Sequence, residues 1–330
     1  MEISKLSKLI TPSGTMAISN KARILREQGK PVIGFGAGEP DFPTPEYVVK
    51  DVQVAAEDTS NHKYSPVAGL TILKEEIVRT SKLYSGINVQ QENILVSNGG
   101  KHAILTTFMS ILNPGDEVLI PSPYWTTYPE AVKISGGNPI IVDTEFDDDF
   151  KVNTDQLDAL KTSKTKILVW VSPSNPTGVV YTKEEAEKIY NWAFENNVWI
   201  LSDELYEHLV YEGMTSPSPA QYDTELNNTI IINGVAKAYS MTGWRVGWII
   251  ANTDVIDMAK KIQSHATSNV SNISQIAAYS ALKNGLNETK IMKESFNRRR
   301  LYAIEEFSNI ENVNLIKSTG AFYLFPDVSY

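Results

Sequence analysis

One lysine and one arginine, eight residues apart, are the groups in this chain best suited to chemistry. Lys237 and Arg245 lie in the stretch I-I-N-G-V-A-K-A-Y-S-M-T-G-W-R-V-G-W at residues 231–248. The stretch begins and ends as apolar runs typical of buried strands, so Lys237 falls where a strand gives way to a loop. An amine held there suits covalent chemistry on a carbonyl, and the planar guanidinium of Arg245 suits a phosphate. The alternative is a surface loop lysine and an arginine in a structural ion pair.

The composition of the chain narrows the classes of protein to which it could belong. It has 330 residues, a net charge of −9, four histidines and no cysteine. The negative charge disfavours a nucleic-acid partner, and the lack of cysteine excludes disulfides and thiolate chemistry. The histidines lack metal-ligand spacing, no run reaches transmembrane length, and no signal-peptide pattern opens the chain. We therefore expect a cytoplasmic protein with no metal and no membrane partner.

Short apolar runs alternate with helical patterns along most of the chain. This alternation predicts an α/β fold with a mostly parallel sheet covered by helices on both faces. A long helix near residues 288–307 and two short strands at 313–316 and 321–325 predict a smaller α/β unit at the end. The predicted strands of the main part lie at residues 31–35, 93–97, 117–120, 139–142, 166–171, 198–203, 229–233 and 246–251.

Four candidate groups fall where predicted strands end. They are the Gly99-Gly100 pair, Asn175, Asp203 and Lys237. Ligands of parallel α/β sheets bind beyond the carboxyl ends of the strands, so we expect these groups to meet at one site. Taken singly, each has a plainer explanation, since Asp203 could cap a helix over residues 204–210 and Asn175 could be a turn residue before a proline.

A lysine able to bond to a carbonyl, with a phosphate-binding arginine nearby, is the pairing that pyridoxal phosphate (PLP) requires. With PLP as the ligand, Lys237 would bond covalently to it and later move a proton. Asp203 would pair with the pyridinium nitrogen and keep the ring protonated. Tyr206 and Asn175 could reach the phenolic oxygen, and Trp125 could stack on the ring. Tyr206 and Trp125 could equally be core aromatics.

The phosphate of such a ligand would have a site at the start of a helix. Gly100 and Lys101 open the helix predicted after the Gly99-Gly100 turn, so their N–H groups could bind the phosphate together with Arg245. A different glycine-rich segment, G-F-G-A-G at 34–38, could be taken for a dinucleotide fingerprint. Pro40 and Pro43 follow at once and forbid the helix that such a fingerprint needs, so a nicotinamide dehydrogenase is disfavoured.

Eight motifs spread over the chain resemble those of class I aminotransferases of PLP fold type I, and more narrowly the aspartate aminotransferases of subgroup Ib. They are P-S-G-T at 12–15, A-G-E-P-D-F at 37–42, K-Y-S-P-V-A-G at 63–69, G-G-K at 99–101, S-P-Y-W at 122–125, S-P-S-N-P-T-G at 172–178, S-D-E-L-Y-E-H at 202–208 and N-G-V-A-K-A-Y-S-M-T-G-W-R-V-G at 233–247. The resemblance implies a seven-stranded sheet in a large PLP-binding domain at 41–285. An N-terminal arm with part of a small domain would occupy residues 1–40, and the rest of the small domain would begin at 286–330.

The resemblance also implies a role for each matching residue. Lys237 would be the Schiff-base lysine. The other cofactor-binding residues would be Gly99, Gly100, Lys101, Trp125, Asn175, Asp203, Tyr206 and Arg245, with Tyr64 reaching the phosphate of the neighbouring subunit in a homodimer. Substrate would contact Gly38, Trp125, Asn175 and Lys101. Lys101 would meet the distal carboxylate of a dicarboxylic amino acid, which favours transfer of the amino group of L-aspartate to 2-oxoglutarate.

One element of the family pattern has no match in this chain. The family carries an arginine, in an R-x-S-type strand of the C-terminal segment, that binds the substrate α-carboxylate. No residue up to Tyr330 matches it, so we expect the small domain to be incomplete at this end. The alternatives are a prephenate, alanine or aromatic aminotransferase, a C–S lyase of the same fold, and a PLP-binding protein without catalytic activity.

Overall fold

The structure is a computed structural model that describes residues 2–36 and 38–329. Its helices alternate with strands over most of the chain, as the sequence predicts. The sequence T-K-E-E at 182–185 predicts a helix that opens with a capping box, and the structure has this box between Thr182 and Glu185. The helices are α1 (Lys5–Leu9), α2 (Gly14–Glu27), α3 (Glu46–Glu57), α4 (Thr71–Thr80), α5 (Gly100–Ile111), α6 (Thr127–Ile134), α7 (Thr154–Leu160), α8 (Lys183–Glu195), α9 (Thr253–Ala266), α10 (Asn272–Lys283) and α11 (Asn287–Ser308).

Seven strands form one sheet in the order β1-β7-β6-β5-β4-β2-β3. They are β1 (Ile94–Ser97), β2 (Glu117–Pro121), β3 (Asn138–Val142), β4 (Thr165–Val171), β5 (Trp199–Asp203), β6 (Thr229–Gly234) and β7 (Gly247–Ile250). Strand β7 runs antiparallel to both of its neighbours, and the other pairs are parallel. The predicted mostly parallel α/β sheet is therefore confirmed, and β1, β4, β5 and β6 end at the same edge.

Both faces of the sheet are buried, and the side chains of each strand alternate between them. On β6, Ile230 and Ile232 pack on the face covered by α5, α6 and α9, whereas Ile231 packs on the face covered by α3, α4 and α10. On β4, Leu168 and Trp170 pack against α8. Burying one such side chain contributes about 1.5–3 kcal/mol, so the continuous apolar runs hold the strand ends in place.

Three local predictions are wrong. Residues 31–35, predicted as a strand, form no regular structure, and Ile33 and Phe35 are exposed. The sequence T-P-E at 44–46 also predicts Thr44 as the cap of the helix that follows, but no side chain caps α3. The Thr44 hydroxyl donates instead to the Ser240 carbonyl and so ties this loop to the segment that follows Lys237. In the C-terminal part, a two-stranded sheet pairs β8 (Asn314–Leu315) with β9 (Pro326–Asp327), five residues beyond the start of the strand predicted at 321–325.

The residues between these two short strands return to the main sheet. Ala321 donates its N–H to the Leu209 carbonyl, and Tyr211 donates its N–H to the Thr319 carbonyl. Phe322 and Tyr323 pack against the segment that follows β5. This return brings side chains from the end of the chain to the carboxyl edge of the sheet. Within the described residues, no helix is long and apolar enough to cross a bilayer.

Candidate active site

A cavity of about 460 Å³ lies at the carboxyl edge of the sheet, within the range typical of small-molecule sites. It collects side chains from segments that are far apart in the sequence. Nine of the predicted site residues line it, namely Gly38, Gly100, Lys101, Trp125, Asn175, Asp203, Tyr206, Lys237 and Arg245. Residues that were not predicted, among them Tyr128 and Tyr323, complete the wall.

Lys237 lies three residues past the end of β6, in a turn, and its amine points into the cavity. Its Nζ donates to the Gly38 carbonyl at 2.5 Å and stands 5.6 Å from the centre of the Tyr206 ring. Burial lowers the pKa of the amine to about 8, although the charges of Glu39 and Asp203 act in the opposite direction. A far larger fraction of this amine is neutral at physiological pH than in an exposed lysine, and the neutral form is the nucleophile.

We expect the reactivity of Lys237 towards an amine-acylating reagent to follow this shift. Because the neutral form dominates only above the pKa, the rate should rise with pH to a plateau above about 8. In protein freed of any bound carbonyl compound, Lys237 should react at pH 7 about tenfold or more faster than an exposed lysine. Peptide mass mapping gives both rates, with the exposed Lys188 on α8 as the control. Equal rates would contradict the lowered pKa.

Asp203 is the last residue of β5, and its carboxylate is buried at the floor of the cavity with 4% exposure. The Tyr128 hydroxyl donates to Oδ2 at 2.7 Å, and the Leu205 N–H donates to Oδ1 at 3.3 Å. Burial raises the pKa of Asp203, while these two donors and the charge of Lys237 lower it. A buried carboxylate with so few donors is stabilised by a cation placed in the cavity. The segment after Asp203 forms turns, so Asp203 is not the cap of a helix at 204–210.

A second carboxyl group, Glu204, follows directly but turns away from the cavity. It is buried and accepts hydrogen bonds from the hydroxyls of Ser202 and Ser218. Burial, with the nearby charge of Glu207, raises the pKa of Glu204 to about 8. Glu204 is therefore mostly neutral at pH 7 and is held as a structural group. Of the two adjacent acids, Asp203 is the one that a ligand can reach.

Tyr206 and Asn175 lie together above Asp203. The Tyr206 hydroxyl is hydrogen-bonded to the Tyr323 hydroxyl at 2.5 Å, and the Asn175 side chain also contacts it. Burial raises the pKa of Tyr206 well above its ordinary value, so the hydroxyl keeps its proton. This corner of the cavity thus offers a hydroxyl and an amide to an oxygen of a bound ligand.

The opposite end of the cavity is suited to an anion. Helix α5 begins at Gly100, and the first N–H groups of a helix have no partner within it. The Arg245 guanidinium lies beside them, anchored by bonds to the carbonyls of Thr242 at 2.8 Å and Asn98 at 3.4 Å. A guanidinium has five N–H donors, so this anchoring leaves donors for a phosphate.

Glycines make this close approach possible. A Cβ atom on Gly247 would lie 2.8 Å from the Gly100 nitrogen, and one on Gly234 would lie 2.9 Å from the Gly247 Cα atom. Gly99 has a φ of 83° and does not line the cavity, because it lies behind Arg245. Gly99 was predicted to bind the cofactor; in the structure it forms the turn before α5.

Trp125 and Lys101 form the side wall near this anion site. The Lys101 Nζ lies 5.0 Å from the centre of the Trp125 ring, and that ring meets Tyr128 edge to face at 5.6 Å. Burial and the charge of Arg245 lower the pKa of Lys101. Lys101 and Arg245 thus place two neighbouring cations in the wall of the cavity that Asp203 also lines.

Besides Gly99, one predicted residue stands apart from this set. Tyr64 is 90% exposed and does not line the cavity of the single chain. Gly38 lines the cavity through its backbone, and its carbonyl accepts the Lys237 bond. Tyr128 and Tyr323 were missed, because nothing in their local sequence marks them. In the described residues, no group of three or more His, Asp or Glu side chains is placed to hold a metal ion.

The sheet is mostly parallel and covered on both faces. Its carboxyl edge carries a lysine, a carboxylate and an anion site with two cations, an arrangement typical of enzymes that act on carbonyl and amino groups. The sequence profile of the family described as "Aminotransferase class I and II" matches residues 30–330. The chain therefore belongs to this family of transaminases.

Individual relatives agree with this assignment. An aspartate aminotransferase of Streptomyces avermitilis is 48% identical over 320 residues, which cover 97% of this chain and 78% of that protein. One from Bacillus sp. strain YM-2 is 43% identical over 323 residues, covering 98% of this chain and 82% of that protein. The structure of Thermus thermophilus aspartate aminotransferase with maleate superposes with a TM-score of 0.96 at 36% identity, covering all of this chain and 86% of that one.

Proposed function

We propose that this transaminase uses PLP to move the amino group of L-aspartate to 2-oxoglutarate, giving oxaloacetate and L-glutamate. The observation that carries the proposal is that Lys237, Asp203 and Arg245 surround one cavity. The three groups match three parts of PLP. Its aldehyde reacts with an amine, its pyridinium nitrogen pairs with a carboxylate, and its phosphate binds an arginine and the N–H groups at the start of a helix. The names of the relatives support aspartate as the donor.

The residues of the chain fit PLP in detail. Asp203 lacks a full set of donors and would be stabilised by the pyridinium charge. Arg245 and the start of α5 would hold the phosphate, and Trp125 offers a face to the ring. Tyr206 and Asn175 would bond to the phenolic oxygen. Bound PLP supplies an electron sink that stabilises negative charge at the substrate α-carbon.

Lys237 would act twice in this reaction. Its lowered pKa makes the neutral amine available to bond to the cofactor carbonyl. The same amine, which lines the cavity, would move the proton between the substrate α-carbon and the cofactor. Because the pKa of the amine is about 8, Lys237 can both accept and return a proton near neutral pH.

Lys101 supports a dicarboxylic substrate. Its ammonium lies over Trp125 at the cavity wall, where it could pair with the distal carboxylate of aspartate or glutamate. We also infer a homodimer in which Tyr64 contacts the phosphate of the neighbouring subunit. The 90% exposure of Tyr64 in the single chain is consistent with this role. Sedimentation should then give about twice the chain mass of 36.7 kDa, and a monomer that turns over would contradict it.

The proposed reaction is tested by incubating the PLP-loaded protein with L-aspartate and 2-oxoglutarate. We expect oxaloacetate and L-glutamate in equal amounts, measured by a coupled dehydrogenase assay and by mass spectrometry. L-Alanine, L-phenylalanine and prephenate, each offered in place of one substrate, should give lower kcat/KM. A higher kcat/KM with one of these would replace the substrate assignment, and PLP binding without any amino transfer would favour the non-catalytic alternative.

A further inference from the structure

We propose that Tyr323 is a positioning residue for Tyr206, whose hydroxyl proton it directs towards the phenolic oxygen of the cofactor. The proposal rests on the proposed function, because it concerns a residue that would contact PLP. Tyr323 belongs to the C-terminal part of the chain, 117 positions after Tyr206, and nothing in the sequence connects the two. Their contact is made only by the return of this segment to the sheet edge.

The geometry of the pair is well defined. The two hydroxyl oxygens are 2.5 Å apart, and the rings meet edge to face at 5.6 Å and 71°. Phe322 packs against both rings, at 5.5 Å from Tyr206 and 4.9 Å from Tyr323. Tyr206 is buried, and both hydroxyls face the cavity that contains Lys237. The rings are thus held so that neither hydroxyl can turn far from the other.

The direction of this hydrogen bond follows from counting protons. Burial raises the pKa of Tyr206 well above its ordinary value and that of Tyr323 to about 12, so each hydroxyl carries its single proton at neutral pH. If Tyr206 donates its proton to the cofactor oxygen, it has none left for Tyr323. Tyr323 must then be the donor and Tyr206 the acceptor. A hydroxyl that accepts a hydrogen bond becomes a stronger donor, so Tyr323 would strengthen the bond that Tyr206 makes.

Gly38 shows why Tyr323 can reach this position. A Cβ atom on Gly38 would collide with the Tyr323 hydroxyl, and the Gly38 carbonyl accepts the bond from Lys237. Gly38 therefore lies against both groups: its carbonyl accepts the bond from Lys237, and the Tyr323 hydroxyl occupies the space that a Cβ atom would need. Gly38 and the C-terminal segment that carries Tyr323 thus line the same part of the cavity.

The test is a pH titration of the visible absorbance of the PLP-loaded protein. A donor to the phenolic oxygen favours its ionised form and lowers the midpoint of the titration. Tyr323→Phe should raise this midpoint by roughly 0.3–0.6 pH unit, whereas Tyr206→Phe should raise it by about one unit or more. The double variant should shift no further than Tyr206→Phe, because Tyr323 acts only through Tyr206.

The control is Tyr302→Phe, a substitution at a tyrosine on α11 that is 65% exposed, which should leave the midpoint unchanged. Each substitution removes one oxygen and keeps the ring, so the packing of Phe322 is retained. The proposal is overturned if Tyr323→Phe behaves like Tyr302→Phe, or if the shifts of the two site variants add. If the wild-type protein bound no PLP, both the proposed function and this inference would be contradicted. If it bound PLP but Tyr323→Phe left the midpoint unchanged, only this inference would be contradicted.

Discussion

Replacing Lys237 with alanine should lower the rate of amino transfer from L-aspartate by roughly 10⁴-fold or more, because it removes both the covalent attachment and the proton carrier. The alanine side chain leaves space in the cavity. The substitution also removes a half-buried amine whose charge is disfavoured by burial. We therefore expect the variant to fold, with a thermal unfolding midpoint no lower than that of the wild type. Steady-state kinetics with saturating PLP measures the loss of kcat.

Lys188→Ala is the matched control for this substitution. Lys188 lies on α8, is exposed, and is far from the residues that line the cavity. It should retain the wild-type kcat and the wild-type visible absorbance. If Lys237→Ala kept more than a tenth of the wild-type kcat with unchanged absorbance, another group would be doing the chemistry assigned to Lys237.

Replacing Asp203 with asparagine should lower kcat by roughly 10²- to 10³-fold, because a buried cation that loses its charge partner is destabilised by about 3–5 kcal/mol. Asparagine keeps the size of the side chain and an oxygen that can accept the Tyr128 hydrogen bond. The substitution therefore removes the charge and preserves the packing. Affinity for PLP, measured by equilibrium dialysis, should fall as well.

The comparison for this variant is Asp257→Asn on α9. The Asp257 side chain is 64% exposed, and its distance from Lys260 is 4.0 Å, so its charge contributes little. Its kcat should match that of the wild type. If the kcat of Asp203→Asn were within about threefold of the wild-type value, the Asp203 carboxylate would not be needed to keep the cofactor ring protonated and electron-accepting.

Most of the site residues at the carboxyl edge of the sheet could be predicted, because their positions depend on local sequence patterns. Apolar runs such as the one ending at Asp203 are buried on both faces, and their periodicity places them in a sheet whatever the rest of the chain does. The groups that follow these runs then meet at one edge by the geometry of parallel strands. Gly100 was recognisable in the same way, because a helix pattern begins directly after it.

The residues that could not be predicted owe their positions to long-range packing. Tyr128 reaches Asp203 across 75 positions, and Tyr323 reaches Tyr206 across 117. Each looks like an ordinary core aromatic in its own segment. The run at 31–35 fails for the opposite reason, because an apolar pattern predicts a strand only where a neighbouring strand pairs with it, and Ile33 and Phe35 are exposed. The structure adds that the neighbouring acid Glu204 is also buried, hydrogen-bonded to Ser202 and Ser218 and absent from the lining of the cavity.

The most direct test of the central claim, that Lys237 is the residue that bonds to the cofactor, is chemical trapping. The PLP-loaded protein is reduced with sodium borohydride, digested, and searched by mass spectrometry for a peptide that carries a phosphopyridoxyl group. We expect that group on Lys237, and we expect it to be lost in Lys237→Ala while it persists in Lys188→Ala. A group found instead on Lys101, or a cofactor that dialyses away after reduction, would contradict the claim.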